Sequence, residues 1–506
     1  MVMPEFCSGF FLALIMTLDR LIFPITILIA CFLPMYIVWA DQHNIIAPTK
    51  NFSTAETYEL LPAGALTHRK RINANAFSHA SPNMSFERKL DFKLGNALFR
   101  KIWVSSPAST LASDGLGPLF NARACQRCHI KDGRGHPPND DSDNRVSMLL
   151  RLSIPPHTPA HQKTLKTNNT INDPVYGGQL QDHSVASIHA EAQFIIEYKE
   201  FEVKLADNET VYLRKPKYQL TNLKYGKAHQ QLTLSPRIAP QMIGLGLLEA
   251  INADDIIRQA DQYDRDGDGI SGKAQMVWSK EHQRVMLGRF GHKAGMPTLN
   301  EQNQAAFNGD IGLSTPLFSN AAGDCTPRQH NCLSMPNGNS AQYEGLEVDK
   351  TMTDLVLHYT RNLAVPARRK VSHPDTLAGK KLFYESGCIH CHTPKYITPK
   401  NTEQPEQSYQ LIWPYTDMLL HDMGEGLADG FSEGKANGRE WRTPPLWGIG
   451  LTPTVNKHSF YLHDGRARNL LEAIIWHGGE AEKSKQKVIS MTQKERQQLI
   501  QFVRSL

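Results

Sequence analysis

After residue 40 the chain has no apolar run long enough to cross a bilayer, which excludes a polytopic membrane protein. It also lacks a long stripe of one charge. Its 55 Lys and Arg stand against 50 Asp and Glu, a net charge of +5 over 506 residues. Two short basic clusters, His68-Arg69-Lys70-Arg71 and Arg368-Arg369-Lys370, stand alone, read as solvated surface and give no nucleic-acid face. Compositional bias is absent too. With 40% apolar and 21% charged residues, disorder, collagen and simple repeats are excluded, and the length suits two or three domains.

What the chain does have is one apolar stretch at its start. Leu21 to Ala40 carries no charge, follows Asp19-Arg20 and ends Val38-Trp39-Ala40. That pattern fits an export signal over residues 1–40, cleaved before Asp41. An uncleaved membrane anchor is the alternative, since about 20 apolar residues span a bilayer. Leu28-Ile-Ala-Cys31 resembles a lipid-attachment box, but Phe32 to Ala40 after it is apolar. Each reading puts the bulk of the chain outside the cytoplasm, in the periplasm.

Cysteine is scarce, at eight residues, so its placement is informative. Cys7 and Cys31 lie in the leader. Cys325 and Cys332 share a Gly/Pro/Asn-rich stretch, and in an oxidising compartment they predict a disulfide; two free thiols are the alternative. The other four form Cys125-Gln-Arg-Cys128-His129 and Cys388-Ile-His-Cys391-His392. This spacing has a mechanism. Two thiols add to the vinyl groups of one haem, and the adjacent His binds its iron. A zinc site would need four ligands at each place, and a thioredoxin-like site a βαβ context that is absent. The sequence therefore predicts two covalently bound haem c groups. Helical spacing surrounds both sites. Leu90, Leu94, Ala97 and Leu98 predict an apolar helix face before the first. A helix runs from Gly379 into the second. Thr492 and Glu495 predict a capping box, with Leu499, Phe502, Val503 and Leu506 on one face of a terminal helix.

Two such sites about 260 residues apart, behind a leader, resemble the bacterial di-haem cytochrome c peroxidase and MauG superfamily. The closer resemblance is to its longer branch, the di-haem oxidoreductase family, also labelled thiol oxidoreductases. The stretches that carry it include Asp114-Gly-Leu-Gly-Pro-Leu-Phe-Asn121, Ile243-Gly-Leu-Gly-Leu-Leu-Glu-Ala250, Glu440-Trp-Arg-Thr-Pro-Pro-Leu-Trp-Gly448 and His463-Asp-Gly-Arg466. The resemblance implies that a C-terminal segment after a Tyr-x-His-x-Gly turn supplies the second iron's other ligand. Here the turn is Tyr461-Leu-His463-Asp-Gly465, and the pattern puts His477 at the ligand position, with Met491 in reserve and His463 holding the turn. It further implies that peroxide reacts at the N-terminal haem, beside a general acid/base. Glu249 is the candidate, although the family Glu-Met pair is Glu249-Ala250 here; Arg134 and His136 are weaker ones.

Asp264-Arg-Asp266-Gly-Asp268-Gly-Ile270 matches the opening of an EF-hand-type loop. The three carboxylates and the Ile270 carbonyl suit Ca²⁺, but Gln275 replaces the closing bidentate Glu. The expected architecture is mainly α. It has two cytochrome c-like haem domains, the N-terminal one enlarged by long loops and a little β structure. Residues 41–85 form an irregular lead-in, 86–365 the first haem domain and 371–506 the second, with a hinge at Val365 to Lys370.

Two function classes follow. The first is an enzyme, a peroxidase-like oxidoreductase that takes hydrogen peroxide as oxidant. A small c-type cytochrome or other redox protein donates, and electrons pass through the C-terminal haem. The second is a non-enzymatic di-haem electron-transfer or redox-sensing cytochrome. Thiol oxidation is weakest, for no reactive thiol remains once haem and the disulfide are counted.

Overall fold

The computed structural model describes residues 44–138 and 147–506. The expected leader lies outside the described residues.

Two crossed helix pairs organise the chain around the two Cys-x-x-Cys-His loops. The entry helix of the first pair is Phe86–Arg100, capped by the Ser85 hydroxyl, which accepts from Arg88 N–H. Its closing helix is Lys350–Arg361, capped by Asp349, which accepts from Met352 N–H. The second pair is Pro374–Glu385, with Pro at its first turn, and Gln493–Ser505, which has the full Thr492/Glu495 capping box. Each pair crosses at a glycine. A Cβ on Gly95 would overlap the Leu355 carbonyl, and one on Gly379 the Gln498 carbonyl, so only hydrogen lets the backbones meet. The buried residues of the first entry helix are Phe92, Gly95 and Phe99, whereas Leu90 and Leu94 are exposed. The expected apolar face is thus turned outward, because the glycine at the crossing sets the rotation. The terminal helix buries Leu499, Phe502, Val503 and Leu506 as its pattern predicts.

The protein is not mainly α, which corrects the expected class. Helix makes up 30% and strand 18%, and the sixteen strands of the described residues pair into eight two-stranded sheets. Several pairs join residues far apart in sequence, such as Thr67 with Val365 and Met148 with Ile238, a pairing that local pattern does not reveal. The longest is the hairpin of Gln193–Lys204 with Thr210–Thr221. Its tip reaches the second half of the chain. Leu205, Val211 and Leu213 join the core of Phe383, Trp413 and Phe502, and the Asp207 carboxylate accepts from Gln493 N–H at the start of the closing helix.

The lead-in also serves the second half. Ile45 bridges Tyr396, Trp413 N–H donates to Pro62 O, and Phe52 packs edge-on against Tyr384. Glu59 pairs with Arg368 and with Lys380 (2.9 Å), while Glu56 pairs with Lys380 (2.8 Å) and Lys395. Arg368 is therefore buried, and so is His68, whose Nε2 meets the Ala76 carbonyl at 2.7 Å; neither is solvated as its cluster suggests. An arginine is buried where a carboxylate meets it.

Candidate functional site

The two Cys-x-x-Cys-His loops are built alike. In the first, the Cys125–Cys128 helical turn follows the entry helix, and His129 Nδ1 donates to the Pro240 carbonyl at 2.8 Å. In the second, Gly387 turns the chain at φ +88°, and His392 Nδ1 donates to the Tyr415 carbonyl at 2.9 Å. A ring from the entry helix stands beside each imidazole, Phe99 at 6.2 Å and Phe383 at 6.1 Å. Each of these meets a ring of the closing helix at 5.2 Å, Tyr359 and Phe502 respectively. Burial holds both histidines at about 4, so both are neutral near pH 7. A neutral imidazole tied through Nδ1 offers its Nε2 lone pair to a metal.

These loops fit haem. Burial pushes the Cys125 and Cys388 thiols up to about 12, and Cys128 and Cys391 upward too, so both pairs are neutral thiols. Within the core around Phe383 and Tyr415, the indole N–H groups of Trp413 and Trp476 are buried without an acceptor. Such donors suit the carboxylates that a haem brings.

His477 follows the Leu470–Ile475 helix, and its Nδ1 donates to the Ala473 carbonyl at 2.7 Å. It acts electrostatically on His392, adding to the lowering by burial. His392 and His477 each turn Nδ1 to a backbone carbonyl, which leaves Nε2 unused by the backbone. His463 is buried and stacks on Trp441, with centroids 3.8 Å apart. Met491 is buried in the core of the second half. His390, between the two cysteines of the second loop, meets Asp268 at 3.3 Å.

Around the first loop the arrangement differs. Pro240 sits on the same side as His129, as its hydrogen-bond acceptor. Glu249 has both oxygens engaged: Oε2 with Arg361 Nε at 2.6 Å and Oε1 with Leu299 N–H at 2.8 Å. That placement ties it between helices, each oxygen accepting one of these hydrogen bonds. Arg134 donates to the Phe460 carbonyl at 3.2 Å and to Leu462, and His136 stands 5.2 Å from the His458 ring. Asp310 acts electrostatically on both Cys125 and Cys128, and Asp182 on Cys128; nothing local in the sequence marks either acid.

Asp264, Asp266 and Asp268 gather their carboxylates within 4.8 Å. Asp264 accepts from Gly269 N–H (3.1 Å) and Asp268 from Ile270 N–H (2.7 Å). Gln275 is buried elsewhere, donating to the Glu433 carbonyl at 2.7 Å, so it does not close the loop. Cys325 and Cys332 lie side by side with Cα atoms 6.1 Å apart, a span that a disulfide bridges.

One signal passed over in the sequence is a repeat. Gly95-Asn-Ala-Leu-Phe99 and Gly379-Lys-Lys-Leu-Phe383 share Gly-x-x-Leu-Phe, which carries the crossing glycine and the ring beside the histidine. A fold that repeats this unit before each of two Cys-x-x-Cys-His loops defines a two-haem redox protein. Residues 63–506 match the family described as "Di-haem oxidoreductase, putative peroxidase", and the chain belongs to it. No curated protein matches the chain. Among solved structures, a xenon-pressurised hydrazine synthase of Kuenenia stuttgartiensis matches at 14% identity and TM-score 0.25, over 70% of this chain and 90% of that one.

Proposed function

We propose that the protein is an exported peroxidase of two c-type haems, in which hydrogen peroxide is reduced at the first and electrons pass through the second. Cys125 and Cys128 hold one haem and Cys388 and Cys391 the other. His129 and His392 would each offer Nε2 to an iron, and His477 would be a further ligand at the second haem. The haems, when bound, would supply one-electron redox chemistry, and two such electrons with two protons reduce one peroxide to two waters. The Asp264–Ile270 loop takes Ca²⁺ and Cys325 is bonded to Cys332, both as structural elements. A small c-type cytochrome or similar redox protein is the donor.

The observation that carries the reading is the pair of Cys-x-x-Cys-His loops built alike, each histidine tied through Nδ1 to a backbone carbonyl, in a chain of the di-haem oxidoreductase family. The test is the ferric absorption and EPR spectrum of the holo-protein before and after a pulse of hydrogen peroxide. One low-spin and one high-spin haem, with the high-spin signal altered by the pulse, is the expected result. Two low-spin haems, inert to peroxide even after one-electron reduction, would leave an electron-transfer cytochrome instead.

A further inference from the structure

Glu480 stands three residues after His477, and its carboxylate draws donors from two distant segments. Oε2 accepts from Ser271 N–H (3.1 Å), Gly272 N–H (3.3 Å) and His421 Nδ1 (2.6 Å). Oε1 accepts from the Ser271 hydroxyl (2.7 Å) and from Asp422 N–H (3.0 Å). His421 is buried and gives its other nitrogen to Asp417 at 2.7 Å, so it faces a carboxylate on each side. Its Nδ1 also lies 3.5 Å from Cys391 Sγ, next in sequence to His392.

The link from Glu480 back to His477 is Gly478-Gly479. Gly479 packs directly against the backbone of Asp422 and Gly424, where a Cβ would overlap the Asp422 carbonyl. The His477 imidazole is anchored on one side by the Ala473 carbonyl, and the segment that follows it is fastened by Glu480. The segment that Glu480 grips also reaches the second Cys-x-x-Cys-His loop. Asp268 meets His390 at 3.3 Å, and Lys483 Nζ donates to the Asp268 carbonyl at 2.5 Å. One loop, Asp264 to Gly272, thus touches both the attachment loop of the second haem and the segment bearing its far ligand.

We propose that Glu480 is the positioning residue that holds His477 in place as a ligand for the second haem, with His421 and Ser271 as its partners. The inference rests on the assignment of His477 as ligand. A carboxylate fastened by neutral and charged donors is costly to remove once buried, and its loss releases everything it held.

The test uses holo-protein carrying both haems and reads EPR and absorption spectra, not turnover. In Glu480→Ala the ratio of six- to five-coordinate second haem should fall roughly tenfold or more, on the scale of hydrogen bonds to a charged group. Added imidazole should restore the low-spin signal, which a general loss of structure would not allow. Ser271→Ala should shift the spectrum the same way by less, and it carries the test with Glu480→Gln if Glu480→Ala yields no holo-protein. An unchanged low-spin signal in these variants overturns the role of Glu480. His477→Ala separates the two failures. If it leaves the second haem unchanged, the ligand assignment itself is wrong; if it abolishes the low-spin signal while the Glu480 variants do not, only the positioning role is.

Discussion

Gly379 lies so close under Gln498 that a methyl group on it would overlap the Gln498 backbone carbonyl. Gly95 meets Leu355 in the same way. Helix propensity alone favours alanine over glycine by about 1 kcal/mol. Overpacking against a backbone atom, which cannot rotate away, costs about 1–3 kcal/mol. Gly379→Ala and Gly95→Ala are each expected to lower stability despite the better helix former. Urea midpoints of the holo-protein check this, and a midpoint raised by either change would show that the helices can part.

The two attachment loops are separate structures, so each haem should be lost independently. Cys388→Ala with Cys391→Ala is expected to leave one covalent haem and an intact first site. Intact mass and denaturing haem stain read the count. A variant that keeps two covalent haems would contradict attachment at these residues.

Glu249 is held by Arg361 and by Leu299 N–H. Glu249→Gln is expected to cost about 1–3 kcal/mol in stability by weakening a part-buried charged contact. Peroxide turnover by the folded protein should change by less than roughly tenfold, whereas loss of a general acid/base costs about 10²–10⁴. A fall of that larger size, with stability unchanged, would place Glu249 in the chemistry.

Glu347 is buried, and burial raises its carboxyl to about 7, against the hydrogen bonds it accepts from Ser314 N–H (2.7 Å) and Gly338 N–H (2.8 Å). The folded protein therefore binds this proton more tightly than the unfolded chain, whose carboxyl titrates near 4.5. The contribution is full below pH 4.5 and is lost as the pH rises to about 7. Compared with Glu347→Gln, the native protein is expected to lose stability between pH 5 and pH 7, by at most about 3 kcal/mol. Denaturant midpoints of both proteins across that range measure it. A difference that grows with pH would reverse the assignment.

What could be read in advance follows the range of the interactions. The haem loops are legible because their chemistry is compressed into five residues. The terminal helix is legible because capping box and apolar stripe are local. The face of the first entry helix is misread because Leu90 and Leu94 outrank Gly95 in hydrophobicity, yet the glycine sets the crossing. The paired strands escape notice because partners such as Met148 and Ile238 are far apart. Glu480 is invisible for the same reason: Ser271 lies far from it in sequence and nothing nearby signals the meeting.

The salt bridges of the lead-in bear on how the protein can be cut. The family match opens at residue 63, an inviting place to begin a recombinant fragment. Such a fragment would discard Glu56 and Glu59 and leave Arg368, Lys380 and Lys395 buried with no opposite charge. Stranding one partner of a buried pair costs about 3–5 kcal/mol. A shortened protein that aggregates or refuses haem would therefore say nothing against the fold; an expression boundary belongs before Asn44.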